Sequence, residues 1–190
     1  SPSSDHANVL PWVHWYRDAT AYPRDFQIQM GAGYKTLLWP AVAALPRAIP
    51  LEWVFFVGHV LTLAATYALL VRLAAALGAD RTTAWLAALT FTAARVSPAG
   101  EPTFDAAFYT RSVGLGLGVA AVLLILRRRP LGAFGCLSAA LAVHAATAFH
   151  AAAIVVPLWL FTPAVSRRAR AAWLAGFAAV AWLLAHLVAP

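Results

Sequence analysis

The chain has 190 residues, 62% of them hydrophobic and only 11% charged, with 14 Lys+Arg against 7 Asp+Glu and a formal net charge of +7. A water-facing globular surface needs a charged fraction nearer ~25%, so an ordinary soluble domain is excluded and an all-α, polytopic transmembrane helical bundle is expected. The basic residues fall in short runs between apolar stretches, which argues for loops facing anionic lipid and against nucleic acid as a partner.

Residues 1–50 read as an outer-face loop with interfacial helices. Trp12, Trp15, Tyr16, Tyr22 and Trp39 are interleaved with Asp5, His6, Asp18, Arg24 and Asp25. Trp and Tyr favour the membrane–water boundary, where ring and polar tip are both accommodated. Pro11, Pro23, Pro40, Pro46 and Pro50 punctuate the segment. The chain opens in polar sequence on Ser1 and stops after an apolar run, so it reads as a fragment of a larger protein lacking an earlier span. Cys136 is the single cysteine, so no internal disulfide is possible.

Residues 51–190 read as the transmembrane region. The first span is 53–71, apolar apart from His59. A polar turn with Arg72, Asp80 and Arg81 leads to a short apolar helix over 82–95. A loop over 96–103 precedes a third helix over 104–126, which Arg127-Arg128-Arg129-Pro130 terminates. The stretch 131–161 exceeds what one crossing of a ~30 Å core requires. It is either one long tilted helix or a hairpin of two short ones, re-entrant in character. The last span is 171–188, behind Arg167, Arg168 and Arg170.

Orientation follows from the basic clusters. With residues 1–50 on the non-cytoplasmic side, the hairpin keeps Arg127–Arg129 and Arg167–Arg170 both inside, as positive-inside sorting requires. A single crossing strands one cluster outside, so the hairpin is preferred. All acids except Asp80 then lie outside. Acids have little topogenic power, so their gathering on one face invites a functional reading.

Three constellations could carry chemistry. Asp5 and His6, with Asp18 and Asp25 further along, could take a proton from a hydroxyl nucleophile or hold a divalent cation; whether a metal is needed stays open. Glu101, Asp105, Tyr109 and Arg111 form the second. Asp105 would equally serve a helix N-terminus, while Arg111, inside the apolar part of its helix, either binds an anion through its planar fork or snorkels to the headgroups. His144, Thr147 and His150 form the third, near the tip of the hairpin. His59 and His186 stand singly on apolar spans and read as packing residues. Gly114, Gly116 and Gly118 follow no strand, so they are read as permitting close helix packing rather than binding a dinucleotide. There is no phosphate loop, zinc cysteine pair or serine nucleophile elbow.

Ser4-Asp5-His6-Ala7-Asn8-Val9-Leu10-Pro11, Tyr22-Pro23-Arg24-Asp25-Phe26, Thr110-Arg111-Ser112, the Arg127–Pro130 turn and Leu141-Ala142-Val143-His144 together carry a resemblance. The chain resembles a family of uncharacterised bacterial polytopic membrane proteins, similar in layout to glycosyltransferases of the C superfamily. Proline often follows the histidine in such proteins, and here Ala145 does.

The resemblance implies a membrane enzyme of the bacterial inner membrane and cell envelope. It would move a sugar from a polyprenyl-phosphate carrier, its lipid-linked donor, to an outer-face acceptor. It implies Asp5, with Asp25 behind it, as catalytic base or metal ligand. It also implies Arg111 and His144 on the donor phosphate; His6, Glu101 and Asp105, read from their constellations, are expected at the substrate. The alternative is a non-enzymatic transporter or polysaccharide-export subunit.

Overall fold

A computed structural model describes residues 4–24, 36–93, 108–161 and 166–187. All regular structure among them is helical: α1 (Ser4–Arg17), α2 (Leu38–Ala43), α3 (Leu51–Ala76), α4 (Arg81–Ala93), α5 (Thr110–Leu126), α6 (Pro130–Val143), α7 (Ala145–Leu160) and α8 (Arg167–Leu187).

Local chemistry sets most helix ends. Pro50, with φ −57°, precedes α3 and Glu52 lies in its first turn, where the helix dipole favours an acid. At the far end Gly78 adopts φ +95°; its N–H bonds Ala75 O and the next N–H, of Ala79, reaches back to Ala74 O. That is the Schellman closure, which needs a left-handed residue. Asp80 then starts α4, accepting from the Thr83 N–H at 2.9 Å and from its hydroxyl at 2.9 Å. α5 closes by the same pattern, with Arg128 at φ +58° where glycine is usual, and Pro130 opens α6.

α5 is the central helix, and its contacts give the direction of its neighbours. A Cβ on Gly58 of α3 would lie 3.1 Å from the ring of Phe108, and one on Gly116 would lie 2.8 Å from Thr66 Oγ1, so α3 and α5 run the same way. Gly132, near the start of α6, faces Leu124, near the end of α5. Gly114, near the start of α5, faces His144 at the end of α6. α6 therefore runs antiparallel to α5. α7 turns back again: Thr147 lies against Gly114 and Ala151 against Gly118. The alternating glycines thus each admit a different neighbour, as small residues do at close helix crossings. The stretch 131–161 is two short helices folded back on one another at His144, whose extended backbone (φ −156°, ψ 97°) interrupts the helix.

Trp173 of α8 donates from Nε1 to Pro130 O at 3.3 Å and stacks on Phe177. With Leu137, Ala152, Val155 and Trp159 these rings build the largest buried cluster. Arg72, Arg127–Arg129 and Arg168 consequently gather at one end of the bundle. The opposite end is built by Val9, Val13, Trp39, Val42, Leu51, Phe55 and Phe108, so α1 and α2 share a core with α3 and the entry to α5.

Several boundaries differ from expectation: α3 continues through Arg72 to Ala76, so Arg72 lies in the helix and not in the turn after it, and α8 takes in Arg167–Arg170 ahead of the expected start at 171. The third helix does not begin as early as expected: Tyr109 is extended (φ −138°, ψ 154°), Phe108 precedes the helix, and residues 104–107 lie outside the described part. The extended backbone lets the Phe108 and Tyr109 rings both pack edge-on against Trp39, with centroids 6.3 Å away in each case. Pro11 sits inside α1 and does not break it.

Among the described residues one helix, α3, is long and apolar enough to cross a membrane; only 11% of its apolar stretch is buried inside the protein. Trp53, Phe56 and Leu61 of α3 and Leu86 of α4 stand more than half exposed. α5, α6 and α7, of 17, 14 and 16 residues, span about 26, 21 and 24 Å, less than a ~30 Å hydrocarbon core.

Candidate functional site

The end of the bundle opposite the arginine clusters holds Arg111 and His144, the two expected residues with described side chains that share a helix end. It begins with the break at His144. The last carbonyls of α6 lack intrahelical partners, and the chain just before α2 supplies them: Thr36 donates its hydroxyl to Val143 O at 2.8 Å, and the Leu37 N–H donates to Ala142 O at 2.8 Å. Thr36 is 2% exposed, so these bonds are shielded from water.

The His144 ring caps the next helix. Its Nδ1 accepts from the Thr147 N–H at 3.2 Å and lies 2.7 Å from Thr147 Oγ1. A nitrogen that accepts a backbone N–H carries no proton, so the neutral ring in this arrangement holds its hydrogen on Nε2. The cap fixes both tautomer and ring orientation. Gly114 makes room: a Cβ there would meet the Cβ atoms of His144 and Thr147 at 3.3 Å.

Arg111 lies three residues before Gly114, on the same face of α5. It occupies the first turn, nearer the helix end than the sequence suggested, because α5 starts at Thr110. The side chain is half-buried between buried Thr110 and Ser112. A guanidinium there adds to the positive end of the helix dipole instead of opposing it. Such a sum of like charges suits an anion. Arg111 and His144 thus lie at the same end of α5, drawn from segments distant in sequence.

The other expected residues are distributed differently. Asp5 and His6 fall in the first turn of α1, and their side chains lie outside the described part. Asp25, Glu101 and Asp105 lie outside the described residues altogether. Asp18 is exposed at the end of α1; it accepts from the Thr20 N–H at 2.9 Å and hydroxyl at 2.6 Å. Those bonds, with Arg47 nearby, hold its carboxyl below the usual carboxylate range, which unfits it as a base. His150 faces outward and does not join His144. His59 is half-buried, with its Nδ1 buried and unbonded among the described residues; a packing residue with satisfied nitrogens is not what stands there. His186 bonds the Trp182 carbonyl at 2.8 Å.

Thr36 escaped the sequence reading, because a threonine far from any constellation gives no sign that it will serve a carbonyl of α6. Among the described residues no three His, Cys, Asp or Glu side chains converge as metal ligands; of the acids expected to hold a cation, the Asp5 side chain and Asp25 are outside that set and Asp18 is within it. The chain matches no protein-family model, no curated protein and no solved structure.

Proposed function

We propose that the protein is an integral membrane glycosyltransferase-like enzyme that moves a sugar from a polyprenyl-phosphate carrier to an acceptor on the non-cytoplasmic face. The observation that carries this reading is the placement of Arg111 in the first turn of α5 and of the capped His144 against Gly114 one turn on, at the same end of that helix. A cation, a helix N-terminus and an Nε2–H donor at one end of the bundle suit a phosphate that gains charge as its sugar leaves. The exposed apolar face of α3 would meet lipid, and the arginine clusters at the far end would face the cytoplasm.

In this mechanism an acceptor hydroxyl attacks the anomeric carbon as the bond from that carbon to the carrier phosphate breaks. Asp5 accepts the hydroxyl proton. Arg111 and His144 stabilise the departing phosphate. The broken helix at His144 also suits a transporter, in which interrupted helices line the substrate path.

The test uses the full-length protein in lipid nanodiscs with a short-chain polyprenyl-phosphate sugar. Arg111→Leu should insert normally, since it makes the helix more apolar, yet lose donor retention. Asp5→Asn should retain donor but transfer sugar ~10²–10⁴-fold more slowly. Normal retention in a folded Arg111→Leu protein removes Arg111 from the site. Passage of the intact carrier across a liposome membrane without sugar transfer replaces the enzyme by the transporter.

A further inference from the structure

A second basic constellation lies away from Arg111 and His144. Where α1 ends and α2 gives way to the Pro46–Ile49 turn, an open cleft of about 440 Å³ is lined by His14, Arg17, Asp18, Ala21, Tyr22 and Arg47. Two guanidiniums line it and neither is loose. Arg17 donates from Nε to Ala43 O at 3.3 Å and from a terminal nitrogen to Leu45 O at 3.5 Å. Arg47 donates to Arg17 O at 3.0 Å. These bonds occupy part of each fork, and a guanidinium has five donors. The carbonyls fix where the charges stand, so ordering them on binding an anion costs little.

Asp18 is the one acid among the described lining residues. It spends its Oδ1 on Thr20, closing the turn that carries the chain to Tyr22, and keeps its second oxygen and its charge. Tyr22 takes up φ +61°, a left-handed conformation costly for an aromatic residue and held here immediately before Pro23. Backbone strain of this kind marks a position that its surroundings over-determine. Tyr22 is one of the residues that line the cleft.

We infer that this cleft is an anion site for a phosphate ester, held by Arg17 and Arg47 with the Tyr22 hydroxyl as a neutral donor. The reading stands apart from the sugar-transfer proposal, because it rests on different residues and is read by binding alone. Two sources share the chemistry: a phospholipid headgroup and a water-soluble phosphate ester.

The full chain, selectively ¹⁵N-labelled at tyrosine, is placed in phosphatidylcholine nanodiscs and titrated with methyl phosphate while the Tyr22 amide resonance is followed. In parallel, about a third of the lipid is exchanged for phosphatidylglycerol. A saturable Tyr22 shift with methyl phosphate assigns a soluble ester. A shift with phosphatidylglycerol that methyl phosphate no longer extends assigns a headgroup. Loss of one charge-assisted contact in Arg47→Gln should weaken the response about tenfold. Arg24→Gln removes the same charge from the same exposed segment, outside the cleft, and should change it less than about twofold. Asp18→Asn, which removes the opposing charge and keeps an acceptor for Thr20, should strengthen it. Equal weakening by Arg24→Gln and Arg47→Gln reduces the effect to general surface charge and overturns the proposal. So does the absence of any Tyr22 shift in both arms.

Discussion

Trp39 stacks on Phe55, the two rings 9° from parallel with centroids 5.9 Å apart. One ring belongs to the segment before the long apolar helix and the other to the first turns of that helix. Phe108, edge-on to both, ties in the entry to α5. What the sequence presents as an interfacial loop is therefore anchored on the bundle by aromatic packing.

Trp39 is 1% exposed, so removing its ring should be costly. Trp39→Ala should destabilise the protein by about 3–5 kcal/mol, read as a fall in the thermal unfolding midpoint in detergent. Trp39→Phe should cost far less. The indole Nε1 is buried without an acceptor among the described residues, so phenylalanine forfeits no hydrogen bond there.

Two glycines should respond in opposite directions. A Cβ on Gly118 would lie 2.9 Å from the Ala151 Cβ, so Gly118→Ala should lower stability by about 1–3 kcal/mol as α5 and α7 are pushed apart. Gly135 is exposed with nothing within 4 Å of its ideal Cβ. Gly135→Ala should raise stability by up to ~1 kcal/mol through helix propensity alone. Equal effects in thermal unfolding would show that the close crossing has relaxed.

The common end of the arginine clusters makes a labelling prediction. In a Cys136→Ser background, cysteines at Arg128 and Arg168 should both be shielded in intact cells from an impermeant thiol reagent applied outside. A cysteine at exposed Ala48 should react. Labelling at Arg168 but not at Arg128 would place those two positions on opposite sides of the membrane.

Asp80 gives a pH prediction. Its hydrogen bonds from the Thr83 N–H and hydroxyl hold its carboxyl below the usual value while it stays fully exposed. A depressed folded-state pKa contributes stability that is complete above the unfolded value, ~4, and is lost as pH falls through the lower folded one. Amide exchange at Thr83 should therefore accelerate below about pH 4 relative to a mid-helix reference. Asp80→Asn keeps an acceptor for the cap and should abolish that acceleration.

The helices were legible where the chain is plainly apolar between basic or proline stops, as at α3 and along 130–160. The reversal at His144 was legible only through charge sorting, since its local cause is a side chain capping its own next turn. The start of α5 was not, because the Trp39 and Phe55 rings pack against Phe108 and Tyr109 ahead of the helix, and packing partners distant in sequence leave no periodic trace. α2 owes its place to Trp39 and to the Thr36 bond, neither of which shows as amphipathic pattern. Of the expected site, His144 packs beside the helix that carries Arg111 because Gly114 leaves room for it.

The hydrogen bond from Thr36 to Val143 joins residues 107 positions apart. During synthesis the amino-terminal segment emerges long before its partner exists. The carbonyl end of α6 cannot be closed until the chain has threaded α3, α4 and α5 into place. The ring of Trp39 can pack on Phe55 and Phe108 before that point, but the Thr36 hydroxyl has no Val143 carbonyl to bond until α6 is in place. A chain arrested before Val143 would leave Thr36 and the Leu37 N–H without these acceptors, and protease sensitivity around Leu37 would report whether α6 had docked.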